Sequence, residues 1–165
     1  MANDHRTPYS SNESSFPQEQ PLDLQPQAKR SGGHPQEATV LVVEDNVSNF
    51  VLIARMLGYM GIHCEWKTSG YEVVEYADTL PSLDLILLDI RLPYEDGFSA
   101  LRKIRASGRL KNTLVVAVTA EANQEQLKRA KEAGFDGFLG KPLDPDRFPD
   151  QISRILSEEP VWELS

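Results

Sequence analysis

Five residues suited to handling a phosphoryl group stand at the carboxyl ends of four short apolar runs. TVLVVED closes on Glu44 and Asp45, LDLILLD on Asp89, LVVAVT on Thr119, and FDGFLGKP on Lys141 followed by Pro142. Three carboxylates offer hard oxygen donors to a divalent cation, a hydroxyl can donate a hydrogen bond, and an ammonium supplies fixed positive charge. Gathered in one crevice, they are the equipment for binding such a cation and phosphorylating a carboxylate. Taken singly, each residue is ordinary: an acid can cap a helix, a threonine can bond to backbone, a lysine can be solvated. Those separate explanations do not predict placement at four successive strand ends.

The elements that must position these residues alternate along the chain. Strands are expected at Thr39–Val43, Ile62–Trp66, Leu83–Leu88, Thr113–Val118 and Phe135–Leu139. Helices are expected at Val47–Met60, Tyr71–Ala77, Phe98–Ala106 and Ala122–Ala133, followed by a last amphipathic helix. That last helix carries Phe148, Ile152, Ile155 and Leu156, and it is expected to start at Asp146 with Pro149 in its first turn. Asn46 is placed to cap the first helix, with Gly61 to end it. Five strands alternating with five helices imply an α/β fold, a doubly wound parallel sheet with right-handed crossovers. In such a sheet ligands collect at the carboxyl ends of the strands, where the five residues stand.

The bulk numbers limit what else the chain can be. Its 165 residues leave room for one domain and a tail. Residues 1–36 are rich in Ser, Pro, Gln and Asn and have no hydrophobic period. Such a stretch cannot offset an ordering cost of roughly 1–2 kcal/mol per residue, so it reads as a disordered extension. The domain is expected over 37–157, with a short acidic tail over 158–165. The net charge of −8 argues against a nucleic-acid surface, which needs clustered cations. No apolar run approaches the ~20 residues of a membrane span, and the N-terminus lacks the pattern of a secretion signal. The single cysteine, Cys64, rules out an internal disulfide and suits a reducing cytoplasm, whether as a buried structural thiol or as a reactive one.

Glu44-Asp45, Asp89 followed by IRLPYEDG, Thr119-Ala120 and Lys141-Pro142 together resemble the response-regulator receiver domains, across about Ala38 to Leu156. The resemblance implies a five-stranded, flavodoxin-like sheet of order 2-1-3-4-5. It implies that Asp89 takes a phosphoryl group from a phosphohistidine donor, a histidine kinase or histidine phosphotransfer protein. Mg²⁺ would be held by Glu44, Asp45, Asp89 and the backbone carbonyl of Arg91. Lys141 and Thr119 would face phosphoryl oxygens, while Pro93 and Gly97 shape the intervening loop, Gly97 by permitting a tight turn.

The resemblance also implies a switch. Thr119 swings towards the phosphoryl group, an aromatic at the position of Phe138 turns inward, and contacts with a downstream protein change. Phe138 lacks the phenolic hydroxyl of the Tyr often found there. On the first helix, Val47, Phe50, Val51, Ala54 and Leu57 suit the side facing the sheet. That leaves Asn49, Leu52 and Met56 as a docking strip for the phosphodonor, or as scattered surface apolars. Arg91 and Glu121 flank the mouth of the site and could pair across it, screening the phosphoryl group from water.

The favoured reading is a receiver of a two-component or phosphorelay system. It would act through protein contacts, with no output domain on this chain and no enzyme activity beyond self-phosphorylation and self-dephosphorylation at Asp89. A phosphorylation-independent, receiver-like interaction module is the alternative. A phosphohydrolase with an aspartyl nucleophile would need a general acid two residues after Asp89, where Arg91 stands.

Overall fold

The computed structural model describes residues 37–165, and the expected N-terminal extension lies outside the described residues. Six strands and five helices alternate in chain order. They are β1 (Thr39–Val43), α1 (Val47–Tyr59), β2 (His63–Lys67), α2 (Val73–Thr79), β3 (Leu85–Leu88), α3 (Gly97–Ala106), β4 (Leu114–Thr119), α4 (Gln124–Ala133), β5 (Gly137–Gly140), α5 (Phe148–Leu156) and β6 (Val161–Glu163). All six strands pair in parallel, in the order β2-β1-β3-β4-β5-β6.

Strand alternation sorts the core into two layers, because successive side chains leave a strand on opposite faces. Val40, Val42, Leu85, Leu87, Val116, Val118 and Leu139 pack with α1 and α5 residues such as Ile53, Leu57, Phe148 and Ile152. Leu41, Val43, Ile86, Leu88, Val115, Ala117 and Phe138 face the other way, against Val73, Phe98, Leu101, Ile104 and Ala130 from α2, α3 and α4. With helices on both faces, the central strands are apolar on both sides, which is why LILL and LVVAV read as unbroken runs.

Three helices start on side-chain caps. Asn46, Asp96 and Asn123 accept from the backbone N–H groups of Asn49, Ser99 and Gln126, at 3.0, 2.9 and 2.9 Å. Gly134 closes α4 in the left-handed conformation, φ 99°.

Three expectations need correction. The sheet has six strands, not five, because the expected tail contributes β6 beside β5. Val161 is buried in the first core layer and Trp162 packs against the second, so the tail carries the strand alternation that its acidity obscured. The last helix begins at Phe148, not Asp146, with Pro149 in its opening turn, where a missing N–H costs nothing. And α1 is rotated relative to the expected phase. Met56 is buried at 5% exposure, whereas Val47 and Val51, assigned to the sheet side, are 60% and 44% exposed. Ile53, Met56 and Leu57 form its fully buried side.

Candidate phosphoryl-acceptor site

The register of the sheet assembles the site. Val43 is opposite both Lys67 and Leu88, Leu88 is opposite Ala117, and Thr119 is opposite Gly140. The ladder continues one step past the strands, with Glu44 N donating to Lys67 O, Asp89 N to Val43 O and Lys141 N to Thr119 O at 3.0, 3.1 and 2.9 Å. Glu44 and Asp89 therefore leave the sheet at one level, and Lys141 follows two residues beyond it, reaching back with its long side chain.

Glu44, Asp45 and Asp89 can each present a carboxylate oxygen with all three within 4.8 Å of one another. Glu44 and Asp89 are buried and Asp45 is exposed. The Lys141 ammonium bridges the buried pair, 2.5 Å from Glu44 Oε2 and 2.9 Å from Asp89 Oδ2. The other Glu44 oxygen accepts from Asn46 N at 3.1 Å, and Asp89 Oδ1 from Arg91 N at 3.0 Å. This donor set fits a hard divalent cation: three carboxylates converge, and the one on the solvent side leaves room for water ligands.

Burial pushes the Asp89 carboxyl above its ordinary value, and the Glu44 charge adds to that. The hydrogen bond and charge of Lys141 pull the other way without cancelling the rise. For Lys141, burial favours the neutral amine, but hydrogen bonds to Glu44 and Asp89 outweigh it, so the ammonium titrates above its usual range.

Thr119 is completely buried, and its Oγ1 accepts from Glu121 N at 3.1 Å. Arg91 and Glu121 form the expected ion pair at the rim, and Gln126 Nε2 donates to the second Glu121 oxygen at 3.2 Å. Gln126 was not singled out from the sequence. The hydrogen bond puts it at the site from a helix whose exposed face offers no periodic signal.

Gly97 is needed for a different reason than tight turning alone. Its φ is not positive, unlike that of Gly61 and Gly134. A Cβ there would instead lie 2.7 Å from the Asp89 carbonyl oxygen and 2.8 Å from Ile90 Cα. The loop is drawn back onto its own strand, and Gly97 N donates to Ile90 O at 2.8 Å.

Two other expected residues are placed differently. Phe138 is already fully buried, opposite Ala117 on one side and Trp162 on the other, so no outward-facing ring waits to turn in. On α1, Leu52 is exposed and Asn49 half-buried, but Met56 belongs to the core and drops out of the docking strip. Trp66, also missed from sequence, stacks on Phe50 with centroids 4.1 Å apart and planes 4° apart. Its Nε1 donates to the carbonyl oxygen of Glu44 at 2.8 Å.

Comparison with known proteins agrees with this architecture. Residues 40–153 match the family described as the response regulator receiver domain. The signal transduction histidine-protein kinase BarA of Shigella flexneri is 38% identical over 116 residues, which are 70% of this chain but only 12% of the kinase. Two-component response regulator 24 of Arabidopsis thaliana is 33% identical over 119 residues, covering 72% of this chain and 79% of that protein. The crystal structure of the receiver domain of the sensor histidine kinase PA1611 from Pseudomonas aeruginosa PAO1 has a magnesium ion coordinated in its active-site cleft. It superposes with a TM-score of 0.67 at 32% identity, covering 73% of this chain and 98% of that one. Among the described residues, no helix is long and apolar enough to cross a membrane.

Proposed function

Since the chain belongs to the response regulator receiver domain family of two-component and phosphorelay systems, we propose that Asp89 is its phosphoryl acceptor and that Glu44, Asp45 and Asp89 hold Mg²⁺. The observation that carries this reading is the convergence of three carboxylates within 4.8 Å, with Lys141 bridging two of them.

An Asp89 carboxylate oxygen attacks phosphorus as the P–N bond to the donor histidine breaks. The imidazole nitrogen keeps the electron pair, and an aspartyl phosphate remains. Bound magnesium supplies positive charge against the transferring oxygens. Lys141 exchanges one carboxylate partner for a phosphoryl oxygen, and its raised titration keeps it charged through the neutral range. The Thr119 hydroxyl, which accepts from Glu121 N, still has its own proton to donate. The Arg91 backbone carbonyl is assigned to the metal on family resemblance. The Arg91–Glu121 pair lies at the rim, where it restricts water rather than contributing stability, since exposed pairs are worth about 0–1 kcal/mol.

Once formed, the phosphate adds roughly −1.5 to −2 charge and three acceptor oxygens. A shift of Thr119 towards it acts on β4 and its neighbour β5. Phe138 then transmits the change from a buried position, by moving against Trp162, to surfaces that meet a downstream protein. Val47, Val51 and Leu52 are the exposed apolar residues of α1 close to Asp45, and we assign them to contact with the histidine-bearing donor together with Asn49.

Incubation with acetyl phosphate and Mg²⁺, followed by intact-mass measurement, tests the assignment. The wild type should gain one phosphoryl group and lose the gain when EDTA is present, and Asp89→Asn should gain none. Equal phosphorylation of Asp89→Asn would overturn it. Partner binding that is indifferent to both acetyl phosphate and Asp89→Asn would favour the phosphorylation-independent module instead.

A further inference from the structure

The turn that carries the acid pair is held from the side by one residue of β2. Trp66 lies opposite Val42, two residues before Glu44. Its indole N–H reaches the Glu44 carbonyl at 2.8 Å, on the entry to the turn. The indole ring stacks flat on Phe50, on the exit. Phe50 is itself fixed in the first turn of α1, where its N–H donates to Asn46 O at 3.0 Å. Trp66 therefore grips both ends of a segment only a few residues long.

The gripped carbonyl belongs to the peptide that joins Glu44 to Asp45. Rotating that peptide about its flanking bonds would redirect the Asp45 side chain, the exposed member of the cluster. Glu44 has other anchors, since its carboxylate is tied to Asn46 N and Lys141. The indole bond thus bears most directly on where Asp45 points relative to Asp89. A partly buried carbonyl deprived of its donor would also have reason to rotate towards water.

We propose that Trp66 is a positioning residue of the cation site: its indole N–H fixes the Glu44–Asp45 peptide so that Asp45 faces Asp89, and so sets the affinity for Mg²⁺. This rests on the reading of the acid cluster as a magnesium site. It assigns no contact between Trp66 and the metal or the phosphoryl group.

The test is a calorimetric Mg²⁺ titration of the full chain, wild type against two substitutions at position 66. Trp66→Phe keeps a ring to stack on Phe50 and removes the donor. Replacing Trp66 with 3-benzothienylalanine keeps both rings and exchanges only the N–H for sulfur, so it serves if Trp66→Phe folds poorly. Both should weaken Mg²⁺ binding about fivefold, the equivalent of one net hydrogen bond. With acetyl phosphate, the Mg²⁺ concentration giving half the maximal rate should rise by the same factor while the rate at saturating Mg²⁺ is kept. Ile53→Val, a core change on the same helix, should lower the melting temperature without moving the Mg²⁺ affinity. Unchanged affinity in both Trp66 variants would overturn the proposal while leaving the magnesium site intact. A wild type that binds no Mg²⁺ would instead overturn the site itself, and this inference with it.

Discussion

At Asp89 the proposed function and the stability of the fold conflict. Its carboxyl is raised by burial and by the Glu44 charge, so the ionised form is less favourable in the fold than in the unfolded chain. By linkage, the stability tied to this group is full below its unfolded pKa and is lost as pH rises through the raised folded value. Asp89→Asn removes the ionisation, keeps the shape, and leaves Lys141 paired with Glu44. Without metal at neutral pH, this variant should melt a few degrees above the wild type, where 1 kcal/mol corresponds to about 3–5 °C for a domain of this size. The gap should close as pH falls into the titration range of Asp89, and Mg²⁺ should raise the melting temperature of the wild type only. A variant that melts lower than the wild type at neutral pH would mean that the Lys141–Asp89 ion pair outweighs the cost of burying the charge. Cys64 gives a second check at this scale. Burial, and then the nearby Glu65 charge, push its thiol up to about 11. Relative to the ordinary value of 9.0, about a hundredfold less thiolate is present near pH 8, so alkylation by iodoacetamide should be slower by a similar factor until the protein is unfolded. The candidate site residues were legible because each is a reactive type ending a strand. Trp66 and Gln126 were not: Trp66 meets Glu44 and Phe50 across the fold, and Gln126 reaches back five residues to Glu121, contacts that no apolar period encodes.

At the scale of elements, strand and helix identities followed from alternation and turn residues, and most boundaries moved by only one or two positions. Helix α1 shows where that reasoning stops. VSNFVLIARMLGY is apolar on nearly every side, so periodicity could establish a helix without fixing its rotation. The sheet chose the rotation, by burying Ile53, Met56 and Leu57 and leaving Val47, Val51 and Leu52 outward. The two groups should now respond differently to mutation. Leu52→Glu should slow transfer from a histidine kinase or phosphotransfer donor about five- to thirtyfold, as the loss of 1–2 kcal/mol at an interface would. Phosphorylation by acetyl phosphate should be unchanged, and equal slowing with both donors would refute docking at this strip. Met56→Ala should do the reverse. It should cost about 2–5 kcal/mol of folding stability through the cavity it leaves, with transfer by the surviving folded protein intact. Phe138 falls under the same rule. Being wholly buried, it cannot be truncated to alanine to probe signalling alone, since a loss of about 3–5 kcal/mol would dominate the result.

At the scale of the molecule, the feature least visible beforehand is the closing of the sheet by β6. Ser157-Glu158-Glu159-Pro160 reads as an ending, and the three-residue strand beyond it is too short for any alternation to register. What admits it is β5, whose glycines leave room for another backbone alongside. A Cβ on Gly137 would sit 2.8 Å from the Val161 carbonyl, and one on Gly140 would collide with that of Leu164. Side chains then secure the strand: Val161 is buried, Trp162 lies under the Lys131 ammonium, and Glu163 is bonded by Arg147 and Gln151. Removing residues 158–165 should therefore lower stability by at least the ~1.5–3 kcal/mol of one buried aliphatic side chain. It should also leave the β5 edge unpaired and promote concentration-dependent association. Gly137→Ala separates edge pairing from the general harm of truncation. In the full chain its methyl meets the Val161 carbonyl, whereas in the shortened chain only Val116, 3.2 Å away, resists it. The penalty of Gly137→Ala, read from urea unfolding midpoints, should thus be smaller in the truncated protein than in the intact one. Equal penalties in both would mean that β6 does not seat against β5 in solution, and that the sheet ends one strand earlier.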